Sequence, residues 1–527
     1  MKLGRRQIGL VVVVVALLMS AFLAWSVHYR AKRALVGYGE QLVAAGEKLT
    51  VNELTPKPIP PDQNGAALFV RATSLLNVNE TLLSSNPPPT MRAVAPGKAM
   101  VGWAQPDIRD ASATNTWADA DSTMADLSQG MELLEQLIEQ PILDHGLDYR
   151  QGFALKLPNL HAATLRTAQQ LTAGVICDLH RQDVPSAMRR LRTMLALVKG
   201  SADERLAISQ LVRIAIAAIA LSANWELLQS PGVTEEQLAV LQNDWLQIEF
   251  IPSVENSLAM ERAMIEMTFA KMRNSSAEFR AVASAYSWGG PVSTSSSDDW
   301  LAQVETFGKE AWANTRLKTK ETAWRLGWSY ADQLRALKGY QVLIETARSV
   351  QSNGCFRSAL LQQKARLADL GIGRSGRDND FGTLPADLEF RSLMSESVAS
   401  LDKILTRVMS MEASRQMLIS AIALRRYKLR HQSYPSELVE LMPEFLRTVP
   451  RDPVDGQTLR YRLMTEETFL LYSVGEDGQD NGGDAKPLKA GSKSRYWMHG
   501  KDWVWPQPAT AEEIETYYRE NAKQPSR

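Results

Sequence analysis

Ile8 to Val27 is an uncharged, almost wholly apolar run of about twenty residues, and no other feature so limits what this chain can fold into. As a helix rising about 1.5 Å per residue it spans about 30 Å, the hydrocarbon thickness of a bilayer. Trp25 and Tyr29 fall where an interfacial aromatic belt forms. A removed signal peptide is the competing reading. The length of the run and the poor placement of small residues for cleavage before Trp25 favour an uncleaved, single-pass anchor. Lys2, Arg5 and Arg6 ahead of the run nearly balance Arg30, Lys32 and Arg33 behind it, so charge alone does not orient it. The short leading tail gives the expectation of a body outside the cytoplasm.

Behind the anchor (1–30) the sequence divides into a spacer and irregular segment (31–123), a helical subdomain (124–283), a linker or loop (284–299), a second helical subdomain (300–400) and a terminal α+β module (401–527). Four prolines between Thr55 and Pro61 predict an extended spacer. Asn64 to Leu76 reads as helix, and residues 84–122 as an irregular crossing. Leu157 to His180 and Val184 to Lys199 predict an antiparallel helix pair, with Pro185 opening the second. Ala207 to Leu228 is apolar enough to span a membrane. It carries Arg213 and Asn224, however, and so reads as a core helix with Leu211, Ile214, Ala215, Ala218, Ile219 and Ser222 on its apolar face. Thr234-Glu235-Glu236-Gln237 is a capping arrangement. Trp300, Phe307, Trp312, Trp324 and Trp328 form an aromatic-rich region, whose commoner fate is core packing rather than a ligand platform. The fold class expected is mainly α, with an N-terminal transmembrane helix, a multi-helix body and a small module bearing an antiparallel sheet.

In that terminal module Ile404, Val408, Met411, Leu418, Ile422 and Leu429 share one stripe of a helix, whose last turns carry Arg425, Arg426, Lys428 and Arg430 at the negative end of its dipole. Pro435 suits the start of a short helix that Pro443 ends, and Asp455-Gly456 supplies a turn. Leu459, Tyr461 and Leu463 alternate with Arg460 and Arg462 as a half-buried strand. Phe469 to Val474 would pair with it across Thr465-Glu466-Glu467.

This succession resembles the C-terminal half of the major pseudopilin of type II secretion systems. The likeness is carried by Ala423-Leu424 and Tyr427, Tyr434-Pro435, Asp452-Pro453, Leu459-Arg460-Tyr461-Arg462, and Leu471-Tyr472-Ser473-Val474-Gly475 followed by Asp477-Gly478, about an eighth of the chain. The resemblance implies calcium at the acidic loop, held by Asp477, Asp480 and Asp484 with Asp502 beyond an insertion. The same loop also reads as an exposed turn whose Asp and Asn cap their own backbone. It is not an EF-hand, since the twelfth place is Leu488. The whole chain, with its proline spacer and Tyr-Pro, Asp-Pro terminus, is similar to uncharacterised membrane-anchored bacterial envelope proteins. That implies a place at the bacterial inner membrane with the body extracytoplasmic.

Catalytic signatures are missing. The six histidines show no metal-ligand spacing on one helix face, and no His-Glu-x-x-His, Cys-x-x-Cys or Gly-x-Ser-x-Gly occurs. Cys177 reads as a small buried hydrophobe, and Cys355 is the only other cysteine. Glu255, Glu261, Arg262 and Glu266 gather on one helix, where solvated ion pairs are commoner than acid and base work. Gly371 to Gly376 follows a helix and reads as a loop, not a dinucleotide fingerprint. Lysine plus arginine equals aspartate plus glutamate at 59 each, giving no electrostatic reason for a nucleic-acid partner. The expectation is therefore a structural or interaction protein with partners in an envelope or secretion-related assembly. A hydrolase or binding protein for an envelope polymer, using a cleft in the helical body, is the alternative.

Overall fold

A computed structural model describes residues 5–76, 87–109, 114–155, 160–285, 317–372, 398, 401, 403–465, 467–488 and 497–522. Most of the expected linker at 284–299, the glycines Gly373 and Gly376, and Trp300, Phe307 and Trp312 lie outside them. The chain is mainly helical, with small sheets among the described residues.

Helix α1 (Arg5–Ala44) does not end near residue 30 but continues for about four more turns. No proline interrupts it, and Leu35 and Leu42, two turns apart, bury against Leu337. After α2 (Val51–Leu54) and α3 (Ala66–Leu76), the stretch expected to be irregular holds a hairpin of β1 (Arg92–Ala95) and β2 (Lys98–Met100). It also holds a second pair, β3 (Ile108–Arg109) with β4 (Thr114–Asn115). Gly97 in the first turn takes a φ of 68°, open to glycine without strain. Thr116 and Asp119 form a capping box on α4 (Trp117–Asp126), and α5 (Ser128–Glu135) follows.

The body is built from α6 (Leu160–His180), α7 (Val184–Gly200), α8 (Ala207–Leu228), α9 (Glu235–Leu246), α10 (Ile251–Asn274), α11 (Ser276–Ala285), α12 (Ser329–Asn353) and α13 (Phe356–Asp369). Helices α6 and α7 pack on each other and on α8, and Thr234 caps α9 by accepting from Gln237 N at 3.3 Å. Helix α8 lies in the core, but its expected apolar face is only half buried. The face turned inward carries Ile216, Ala217, Ala220 and Ala223 together with Arg213, Asn224 and Glu226. Alanines let neighbouring backbones approach, and each of the three polar side chains makes internal hydrogen bonds: Arg213 donates to the carbonyls of Val198 and Glu249 at 2.7 and 2.9 Å, Asn224 donates to the carbonyl of Ala220 at 2.7 Å, and Glu226 accepts from Met91 N at 2.7 Å.

Helix α14 (Ile404–His431) is likewise not the one-sided helix its stripe suggests. Between Met411 and Leu424 it is buried nearly all round, between α8, α9 and the terminal sheet. That sheet pairs β5 (Arg460–Thr465) with β6 (Thr468–Ser473) in the register the alternation predicts, Tyr461 opposite Leu471 and Leu463 opposite Phe469. The short helix expected at Pro435 is a single 3-10 turn at Leu438–Leu441. A third strand, β7 (Trp503–Val504), joins β6. Strand β8 (Gln507–Pro508) then pairs parallel to β2, and α15 (Ala511–Ala522) closes over β1. One continuous apolar core runs from Val51 to Trp505.

Candidate functional site

A half-open cleft of about 680 Å³ lies where three loops meet. One wall is Asn52 and Thr55 to Ile59, the proline segment, which lies against the body as a cleft wall. The second is the 142–150 loop, and the third is the turn between α7 and α8 from Gly200 to Arg205. Asn64 fixes the second wall, its amide donating to the carbonyl of Asp144 at 2.8 Å while its oxygen accepts from Asp144 N at 3.1 Å. Leu143 N donates to the carbonyl of Gly200 at 3.1 Å, tying the second wall to the third. Tyr149, buried, accepts from Arg205 N at 3.1 Å, and burial pushes its phenol up to about 12.

Asp144, His145, Asp148, Asp203 and Glu204 face this space with Lys57, Arg150 and Arg205. His145 packs edge-on to Phe69, and burial holds its imidazole below the ordinary range despite the charges of Glu204 and Asp144. His161 stands behind, its Nε2 2.9 Å from Ser209 Oγ and 3.8 Å from Glu204 Oε1. Asp148 is occupied by Arg150, accepting from its Nε at 2.7 Å. An imidazole that shares a cleft with carboxylates has the groups that acid and base chemistry uses. Sequence spacing could not reveal this group, because His145, Glu204 and Lys57 belong to three separate loops.

The acidic terminal loop is arranged differently. Asp502, buried, accepts from the backbone N–H of Asn481, Gly483 and Asp484 at 2.7 to 3.2 Å. Burial raises its carboxyl above the usual range, and those donors pull it back. Asp484 accepts from Lys501 Nζ at 2.9 Å, Asp480 from Tyr472 Oη at 2.9 Å, and Asp477 from Gln479 N at 2.9 Å. The carboxylates of the loop thus meet N–H, O–H and ammonium donors from the chain itself. Among the described residues no group of three or more acidic, histidine or cysteine side chains is arranged to hold a metal ion.

Other sequence candidates fall in the core. Cys177 is buried, and burial lifts its thiol to about 12. Asp178 is paired with Arg181 and Arg190 at 2.5 and 2.6 Å, and His180 stacks on Trp117. Trp324 is enclosed, donating from Nε1 to Asp332 at 3.0 Å. The acidic cluster on α10 is divided: Glu255 forms a partly exposed ion pair with Arg348, while Glu261 and Arg262 are withdrawn from solvent. Glu261 accepts from Ala207 N at 2.7 Å, capping α8 from outside, and burial raises its carboxyl to about 7. Arg262 is fully buried against Glu47.

No family model, curated protein or solved structure matches the chain.

Proposed function

We propose that the protein is a single-pass component of a bacterial inner membrane, its body extracytoplasmic, serving as a structural or interaction element of an envelope or secretion-related assembly. One observation carries the reading. Along α1 the apolar side chains of Val14, Val15, Leu18, Met19, Phe22 and Trp25 stand 46–66% exposed, and the same helix continues into contact with α12. Exposed apolar surface on this scale marks a membrane or partner, and an unbroken helix holds the body rigidly beside it. The terminal module, with its resemblance to a pseudopilin head, supports the secretion-related setting.

The chain is expected to stay in the membrane fraction after alkaline carbonate, and its body to be digested by protease added to intact spheroplasts. Release by carbonate overturns the anchor. Protection until the membrane is breached overturns the orientation. On blue-native gels of gently solubilised membranes the 58.6 kDa chain should migrate in a larger complex, and migration at the monomer position overturns the assembly role.

The cleft at His145 favours a second reading, a hydrolase or binding protein for an envelope polymer. Binding of soluble peptidoglycan fragments by the detergent-purified chain should weaken about tenfold or more on Glu204→Gln, a loss equal to one charged hydrogen bond. Absence of binding to the unaltered chain would dismiss it.

A further inference from the structure

We propose that Lys32, Arg33 and Arg273, gathered around Tyr29 and Tyr330 at the foot of the body, bind the headgroups of anionic phospholipids. The inference rests on the membrane reading of α1 and adds to it a lipid class and the residues that select it.

The site follows from how the helices run. His28 meets Tyr330, Tyr38 meets Lys338, and Glu47 meets Gln341 and Arg348, so α1 and α12 are parallel. Arg273 meets Tyr330, Arg262 meets Gln341, and Glu255 meets Arg348, so α10 runs the opposite way. The end of α10 and the start of α12 are therefore brought to the level of residue 28, just past the exposed Phe22 and Trp25 of α1. There Tyr330 lies between two cations, Arg273 at 4.4 Å and Lys32 at 5.7 Å from its ring centroid, while Arg33 lies 6.0 Å from the ring of Tyr29. Trp25 stacks on Tyr29 at 5.7 Å, continuing the aromatic surface downward. Leu326, 68% exposed, stands one turn before α12.

Exposed charge on α1 at this level is positive, from Arg30, Lys32 and Arg33. Among the described residues neither Arg30, Lys32, Arg33 nor Arg273 has an ion-pair partner. Of the nearby carboxylates, Asp332 accepts from Trp324 and Glu321 is paired with Arg325, while Glu266, buried against Gln333, lies close enough to Arg273 for each to feel the other's charge, which leaves Lys32 and Arg33 as the exposed cations of the group. Cations stacked on aromatic faces, directly above an apolar surface, match a lipid whose acyl chain lies along α1 and whose phosphate is negative. A zwitterionic headgroup satisfies the apolar part but leaves the cations without net charge to meet.

Native mass spectrometry of the full chain in neutral detergent, offered equal phosphatidylglycerol and phosphatidylcholine, reads this directly. The unaltered chain should retain phosphatidylglycerol in preference. The Lys32→Gln, Arg33→Gln, Arg273→Gln triple variant should lose that preference, at roughly fivefold per removed charge. Lys32 and Arg33 are exposed, so the double variant at those positions preserves folding and should show an intermediate loss. Equal retention of both lipids by the unaltered chain, or an undiminished preference in the double variant, overturns the proposal. Carbonate extraction separates the two claims: a chain that resists carbonate but shows no lipid preference keeps its anchor and loses only this site.

Discussion

Glu47→Gln lowers the stability of the folded body by about 3–5 kcal/mol, the cost of leaving a buried charge without its partner. Arg262 is wholly enclosed, and Glu47 is the carboxylate that neutralises it, Oε2 accepting from Arg262 Nη2 at 3.1 Å. The same carboxylate accepts from Gln341 Nε2 at 3.0 Å and from Arg348, which also donates to Glu255 at 2.6 Å. Burial alone would raise the carboxyl of Glu47, yet the bonds from Arg348 and Gln341 and the charge of Arg262 outweigh it and leave it at about 2. A folded value below the unfolded one means that this contribution is present above about pH 4.5 and is lost as pH falls toward 2. Chemical denaturation should accordingly show the unaltered chain losing stability across that window while the variant changes less, the two converging at its acid end. Pairing Glu47→Gln with Arg262→Gln should recover part of the loss, since both buried charges are then gone. A loss below about 1 kcal/mol at neutral pH would mean that water, not Glu47, carries the charge of Arg262. Because Glu47 sits just past the end of α1, the cluster also fixes the anchor helix to α10 and α12.

Much of this architecture is legible in the sequence, and the failures have a common physical origin. The Tyr461–Leu463 alternation predicts the β5–β6 register because one face of a strand meets the core and the other does not. The limits of α8 and the cap at Thr234 follow from apolar length and local capping chemistry. The inward face of α8 does not, because Arg213 and Glu226 find their partners on segments remote in sequence: Val198 and Glu249 for the first, Met91 and Gly102 for the second. The same holds for Arg262 and Glu47, 215 positions apart. Strands as short as β7 and β8 carry no periodicity to detect. The cleft at His145 is invisible for a related reason, being assembled from loops that share no helix face. The acidic loop was legible as a cluster of carboxylates, but not that backbone N–H groups and Lys501 would be what they meet.

Glu226 should make the protein less stable as pH rises from about 5 to 9, and Glu226→Gln should remove most of that slope. The side chain is fully enclosed on α8, and its partners are backbone donors: Met91 N at 2.7 Å and Gly102 N at 2.9 and 3.1 Å. Burial lifts the carboxyl to about 8, with those donors pulling the other way. A folded value raised above the unfolded 4.5 means that the favourable contribution is complete below about pH 4.5 and is lost progressively as pH climbs through 8. The interval of roughly three and a half pH units corresponds to roughly 5 kcal/mol as an upper figure. Glu261, raised to about 7 by burial, adds to the slope in the same direction and sets what remains in the variant. Glutamine matches the size and neutrality of the protonated acid, so at pH 5 to 6 the variant should lie within about 1 kcal/mol of the unaltered chain. Glu226→Ala behaves differently, since it strands the N–H groups of Met91 and Gly102 in the interior at about 1–3 kcal/mol each. Gly102 cannot shift to compensate, its backbone being so close to Pro89 that an added Cβ would lie 1.7 Å from the carbonyl oxygen. The β1–β2 hairpin would then loosen together with β8, which pairs with β2 next to the bond from Trp225 Nε1 to the carbonyl of Pro506. Hydrogen exchange at Met100, Gln507 and Ala509 should rise in Glu226→Ala and stay low in Glu226→Gln at pH 6. Equal slopes in the unaltered chain and the glutamine variant between pH 5 and 9 would show that Glu226 is ionised throughout, held by its three N–H contacts despite its burial.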